Sequence, residues 1–173
     1  MQPRTALYAL TLLLPACDDG DPPREEPTIA ELSACDESDL DVLPFMGPAF
    51  DDKGALVAPL PQPHVVATTV GWHTPEHAEA LEAETLPPMM DLFTHDGFLG
   101  ATFATSARCG SARTLSLWRD EAARMKFVFG AVHGKAIKNG LKFTMGWETT
   151  NWSGSDALPT WADARRRLED NRQ

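Results

Sequence analysis

From residue 64 onward the apolar positions switch between two periods, and the switches mark out elements. His64 to Trp72, rich in Val and Thr, reads as a strand. Thr74 followed by Pro75 is a helix start, a hydroxyl to cap and a proline for the first helical position. Ala78, Leu81 and Thr85 follow at 3–4 spacing; Pro87-Pro88 is expected to break that helix, with Met89, Met90, Leu92 and Phe93 resuming for one or two turns. Phe98 to Thr105 and Ala112 to Trp118 read as two strands joined by the turn cluster Arg108-Cys109-Gly110-Ser111, an antiparallel hairpin. Asp120 caps a second helix over 121–139, with Ala123, Phe127 and Ala131 on one stripe, closed by Asn139-Gly140. Leu141, Phe143, Met145 and Trp147 alternate with polar or small residues as a fourth strand. Pro159-Thr160 opens a last helix, where Thr160 and Asp163 make a capping-box-like pair and Arg165-Arg166-Arg167 a solvated run.

This βαββαβ order is α+β and ferredoxin-like, with an extra C-terminal helix. Period two puts Trp118 opposite Leu115 and Leu117. If the leucines face the helices, Trp118 faces the far side of the sheet. The first strand (Val65, Val66, Val70, Trp72) is apolar on both sides, so the second sheet face needs a cover too. A second copy of the chain is the simplest one, which predicts a homodimer.

Three regions precede or make up the folded part. Residues 1–16 carry Arg4, the apolar run Ala6 to Leu14 and small Ala16, the order of a secretory signal. Cys17 directly after Ala16 resembles a bacterial lipoprotein signal, which implies lipidation at Cys17, export, and attachment to a cell-envelope membrane surface through acyl chains. Residues 17–63 are acidic and rich in proline and are expected to be a largely disordered tether, with the apolar island Leu40, Val42, Leu43, Phe45, Met46 and Phe50. Residues 64–173 are the α+β domain. Cys35 and Cys109 are either a disulfide pinning the tether to the domain or two separate thiols.

The charge is uneven. Residues 18–52 hold twelve acids and one base, whereas 64–173 are nearly neutral, in a chain of formal charge −10. There is no basic stripe, so no nucleic-acid partner is expected. An apolar run of about nine residues is too short to span a bilayer.

Phe98-Leu99-Gly100, then Leu115-Ser116-Leu117-Trp118-Arg119-Asp120-Glu121, resemble the antibiotic-biosynthesis-monooxygenase family of dimeric α/β barrels. In that family the tryptophan ending the third strand is followed by a helix carrying an aromatic residue and then a histidine, here Trp118, Phe127 and His133. Trp147 and Leu158-Pro159-Thr160-Trp161-Ala162-Asp163-Ala164 are similar to its spheroidene-monooxygenase-like relatives. The likeness spans roughly residues 64–168. It implies a pocket lined by Trp118, Phe127, His133 and Trp147, with His133 and Trp118 as catalytic residues and Phe127 and Trp147 as ligand contacts. It also implies oxidation or binding of a small aromatic or polyene compound with neither metal nor cofactor. Haem degradation is disfavoured, because the first strand lacks the asparagine of the haem-degrading members and their ligating histidine falls near Ile137. The other function class is a non-catalytic ligand-binding or structural envelope lipoprotein of the same fold.

Two further motifs carry ordinary explanations. His73-Thr74-Pro75-Glu76-His77 matches H-x-x-E-H, but Pro75 opens the helix, so His73 and His77 cannot share a helix face and no zinc site is expected. Gly130 and Gly134, four apart, are read as close packing of the second helix on its neighbours.

Overall fold

The computed structural model describes residues 26–173. In chain order the elements are α1 (Ile29–Ser33), β1 (Asp41–Val42), β2 (Val65–Trp72), α2 (Ala78–Leu92), β3 (Phe98–Ser106), β4 (Ser111–Trp118), α3 (Glu121–Val128), α4 (Ala131–Gly140), β5 (Gly146–Ser153) and α5 (Trp161–Asn171). The five strands form one antiparallel sheet in the order β1-β3-β4-β2-β5. β2, β3, β4 and β5 with their helices are the ferredoxin-like unit, and β1 is an added edge strand. Register places Val65 between Trp118 of β4 and Ser153 of β5, and Thr68 between Leu115 and Thr150.

The two sheet faces are covered differently. Trp118, Ala101 and Phe103 turn toward α2 and α3, where they pack with Leu92, Ala123 and Phe127. Leu115 and Leu117 turn the other way and meet Phe50, Leu60, Val66 and Ala164, while Val70 and Trp72 meet Leu32 and Leu168. The expected assignment of faces is therefore reversed: tryptophan goes to the helices, the leucines to the opposite side. The reason is the cover on that side, which the chain itself supplies.

That cover is residues 28–60 together with α5. The segment read as a largely disordered tether is ordered from its first helix on. Thr28 and Glu31 form a reciprocal capping box on α1. The chain then runs along the free edge of β3, Leu43 donating to Phe103, Met46 exchanging bonds with Ala101, and Ala49 donating to Leu99. It crosses the sheet as the stacked pair Phe45–Phe50, then Leu56 and Leu60. Three of its acids, Asp36, Glu37 and Asp39, have partners across the fold, Asp36 with Arg108. Glu37, buried, takes hydrogen bonds from Ser111, Arg113 and Arg165; Asp39 takes them from Ser106 and the Arg108 amide. Cys35 is disulfide-bonded to Cys109. The uncovered apolar face that motivated a second subunit is thus covered within the chain. Cys17 and the signal-like segment lie outside the described residues.

Local differences from the sequence expectations have local causes. α2 runs through Pro87 and Pro88 without a break. Two prolines remove two helical N–H bonds, but Pro88, Leu81 and Leu92 are buried on one side, and that packing carries the helix across. The helix expected over 121–139 is two helices, parted at Phe129-Gly130. Gly130 is not a packing site; a side chain there would meet the Phe127 carbonyl at 3.0 Å, and Gly134 faces open space. The last strand starts at Gly146 rather than Leu141, since 141–143 form a 3₁₀ turn. The arginine run is not simply solvated: Arg165 binds Glu37, Arg166 binds Asp163, and Arg167 lies over the Trp152 ring.

Candidate functional site

Phe98 opens β3 and Trp118 ends β4, and the register pairs them, with ring centroids 5.4 Å apart. Asp120 caps α3 by accepting from the Ala123 amide, which fixes the helix so that Ala123 and Phe127, four apart, both point at the sheet. The Phe127 ring lies 5.4 Å from Trp118. Trp118 is 1% exposed, and its indole N–H donates to Ser116 Oγ at 3.0 Å. Sealed in this way, it is a floor beneath Phe127 and not a surface a ligand can touch.

Two histidines flank Phe127. The break between α3 and α4 turns the chain so that His133 Nδ1 sits 3.0 Å from the Val128 carbonyl, its ring 4.5 Å from Phe127. A carbonyl can only accept, so Nδ1 carries the proton and Nε2 keeps its lone pair. Burial pushes the His133 pKa below the ordinary histidine value, outweighing the pull of the Val128 carbonyl and of the Asp91 charge. The ring is therefore neutral at pH 7, with a basic nitrogen. On the other side of Phe127 the His95 ring stands edge-on at 5.3 Å, its Nε2–H donating to Asp91 Oδ2 at 3.0 Å. Phe93, half-exposed, reaches Phe98 at 5.5 Å.

The structure thus gathers Trp118, Phe127 and His133 into one cluster. It does not bring Trp147 there. Trp147 is half-exposed on edge strand β5, six residues along from Ser153, the position in register with Trp118 through Val65, about 20 Å at the rise of a strand. Sequence reasoning missed Asp91 and His95; the signal was available in their i,i+4 spacing at the end of a helix. His73 bonds to the Thr74 carbonyl and the His77 ring faces Phe143. Among the described residues no group of three or more His, Cys, Asp or Glu side chains is placed to hold a metal ion.

Comparison with solved structures places this architecture. A Mycobacterium tuberculosis protein, Rv0793, is similar at 14% identity and a TM-score of 0.51, over 56% of this chain and 99% of its own. A protein of Fusobacterium nucleatum provisionally named a monooxygenase is similar at 13% identity and a TM-score of 0.53, over 70% of this chain and 56% of its own. Another so named, from Lactobacillus acidophilus, is similar at 12% identity and 0.51, over 59% and 49%. The fold is ferredoxin-like, as in these monooxygenase-like proteins. At such identities the likeness is one of fold alone, and this chain spans about half the length of the two proteins so named. No protein-family model and no curated protein sequence matches the chain.

Proposed function

We propose that this chain is an exported, envelope-anchored protein that binds a small aromatic compound, a phenol or hydroxyquinone, beside Phe127 and removes its hydroxyl proton with His133. The observation that carries this is the His133–Val128 contact, which leaves Nε2 as a neutral base at the edge of an aromatic cluster. A phenol stacking on the rim of Phe127 gives its proton to Nε2 and becomes a phenolate, the electron-rich form with which dioxygen reacts without a metal. Such a base contributes about 10²–10⁴-fold in rate. The monooxygenase-like fold supports the oxidation, and the Leu14-Pro15-Ala16-Cys17 pattern supports the anchoring. A non-catalytic binding role is the second reading, favoured by the burial of Trp118 (1% exposed) and of most of Phe127 (9%).

The test titrates the purified chain with a panel of naphthols and hydroxyquinones, following tryptophan fluorescence for binding and an oxygen electrode for turnover. The expected result is binding by both the wild type and His133→Gln, with oxygen consumption lost in the variant by 10²-fold or more. Binding without oxygen uptake in the wild type would select the second reading. The absence of binding by every compound would overturn both.

A further inference from the structure

We infer that β5 is a pairing edge for a second copy of this chain, the two strands joining antiparallel about Thr150. The sheet has two edges, and the described residues close only one of them. Along β3 the cover supplies partners at Leu43, Met46 and Ala49. β5 is the other edge, eight residues paired with β2 in an unbroken register. In an antiparallel ladder alternate residues turn their N–H and C=O toward one neighbour, and the rest turn theirs away. The Gly154 amide donates to the His64 carbonyl, so the even-numbered residues of β5 bond inward to β2 and the odd-numbered ones face out. Trp147, Thr149, Asn151 and Ser153 thus present four N–H and four C=O groups that no described residue takes up. Long edges are commonly blunted by a bulge, a proline or an outward charge. β5 has neither bulge nor proline, and its one charged residue, Glu148, is bound by Arg172.

The register decides the occupant. With Thr150 on a two-fold axis, Trp147 faces Ser153 of the second copy and Thr149 faces Asn151 of the second copy. That makes four hydrogen-bonded pairs of two bonds each, and it satisfies all eight outward groups of each strand. On the other face the same register sets Glu148 directly against Trp152 of the second copy. Arg167, exposed and in no ion pair among the described residues, lies over the Trp152 ring of its own chain. A carboxylate and a guanidinium of opposite copies therefore meet at each end of the seam. β5 carries no other charge, so no like charges are opposed along the strand pair. α5 leaves the seam open. It crosses this face obliquely, from Ala164 over Leu115 and Leu117 of β4 to Arg172 at Glu148, and at the Ser153 end it stands two strands back from the edge. Residues 18–25, with four acids and two prolines, are a poor strand to take the edge instead. One strand pair falls short of the roughly 1,000 Å² of a stable interface, so the pairing is weak and fills only above micromolar concentration.

The experiment uses the full chain with Cys17→Ala, which prevents acylation, and follows amide hydrogen exchange residue by residue from micromolar to millimolar protein. The Glu148, Thr150 and Trp152 amides should be protected throughout. Those of Trp147, Thr149, Asn151 and Ser153 should gain protection only as concentration rises. Asn151→Pro removes an outward N–H that the monomer does not use, so the unfolding midpoint should hold while the gain at the other three amides is lost. If that variant fails to fold, Asn151→Lys places a charge on the edge and should lose the gain in the same way. Opposed residues of a non-hydrogen-bonded pair have Cα atoms about 4.5 Å apart, within disulfide reach, so Thr150→Cys should trap a covalent dimer on oxidation. Ser155→Cys, in the exposed loop after β5, is the collision reference and should not. No gain at millimolar concentration would overturn the proposal, as would equal crosslinking at 150 and 155. Protection of the four outward amides at every concentration would also overturn it, since residues 1–25 of the same chain would then hold the edge.

Discussion

The ring of Phe50 lies where a side chain on Gly100 would begin: a Cβ added to Gly100 would come within 2.5 Å of two Phe50 ring carbons and 3.1 Å of the Met46 carbonyl. The cover segment is thus keyed into the sheet at a residue with no side chain, and Gly47, at φ +141°, lies against the same backbone. Gly100→Ala should force the ring out of its seat and destabilise the fold by about 1–3 kcal/mol, the range for overpacking. Urea unfolding checks it; an unchanged midpoint would show that the ring can shift freely.

Glu37 is the polar counterpart of that key. Its carboxylate, 2% exposed, meets Arg113 at 2.9 Å and Arg165 at 2.8 Å. Glu37→Gln leaves the buried Arg113 cation without its counter-charge and should lose about 3–5 kcal/mol. Replacing both partners, Glu37→Leu with Arg113→Met, should lose less than either single change. A double-mutant cycle measured by denaturation reads this directly.

The Cys35–Cys109 bridge closes a loop across 74 positions. Chain-entropy arguments give about 4 kcal/mol for a loop of that size. Cys35→Ser with Cys109→Ser should lower the unfolding midpoint accordingly, and limited proteolysis should then cut first within residues 36–60. A variant that kept the wild-type midpoint would mean the ion pairs alone hold the cover.

Because chain residues already occupy the sheet face that a partner would need, light scattering on the full chain should report a monomer at micromolar concentration. A dimer would have to use some other surface.

His133 gives a pH prediction. Its folded pKa is lowered by burial, so the unfolded chain takes up that proton first as pH falls. Its contribution to stability is complete above the unfolded histidine value, about 6.5, and is lost as pH falls through the lower folded value. His133→Gln should therefore flatten the acid limb of the stability curve, and the acid limb of any phenol turnover should lie below that of an ordinary histidine. Thermal melts at a series of pH values, compared between the two proteins, measure the first.

The parts of this fold visible in the sequence are those set by local rules. Val65–Trp72 alternates as a strand must, and Thr160 with Asp163 spells a capping box that the structure contains. Counted alone, the charges of the acidic segment predict that it cannot order. Its partners, Arg113 and Arg165, stand 76 and 128 residues away, a distance no local window sees. The side to which Trp118 turns has the same cause, since Leu115 and Leu117 are drawn to a cover whose order depends on those distant partners. In the cluster, the 9- and 15-residue spacing marked Phe127 and His133, whereas the tautomer of His133 depends on a helix break at Phe129-Gly130 that the apolar stripe conceals.

The first helix of the described residues and the end of the last helix are neighbours. Arg172 donates to Ser33 Oγ at 2.8 Å while its other nitrogens bind Glu148. A short flexible linker would therefore join residue 173 back to residue 26, and new ends could be opened in the exposed loop at Ser155–Asp156 without crossing either face of the sheet. Such a circularly permuted chain would keep both covers in place, with its new ends in the loop between β5 and α5.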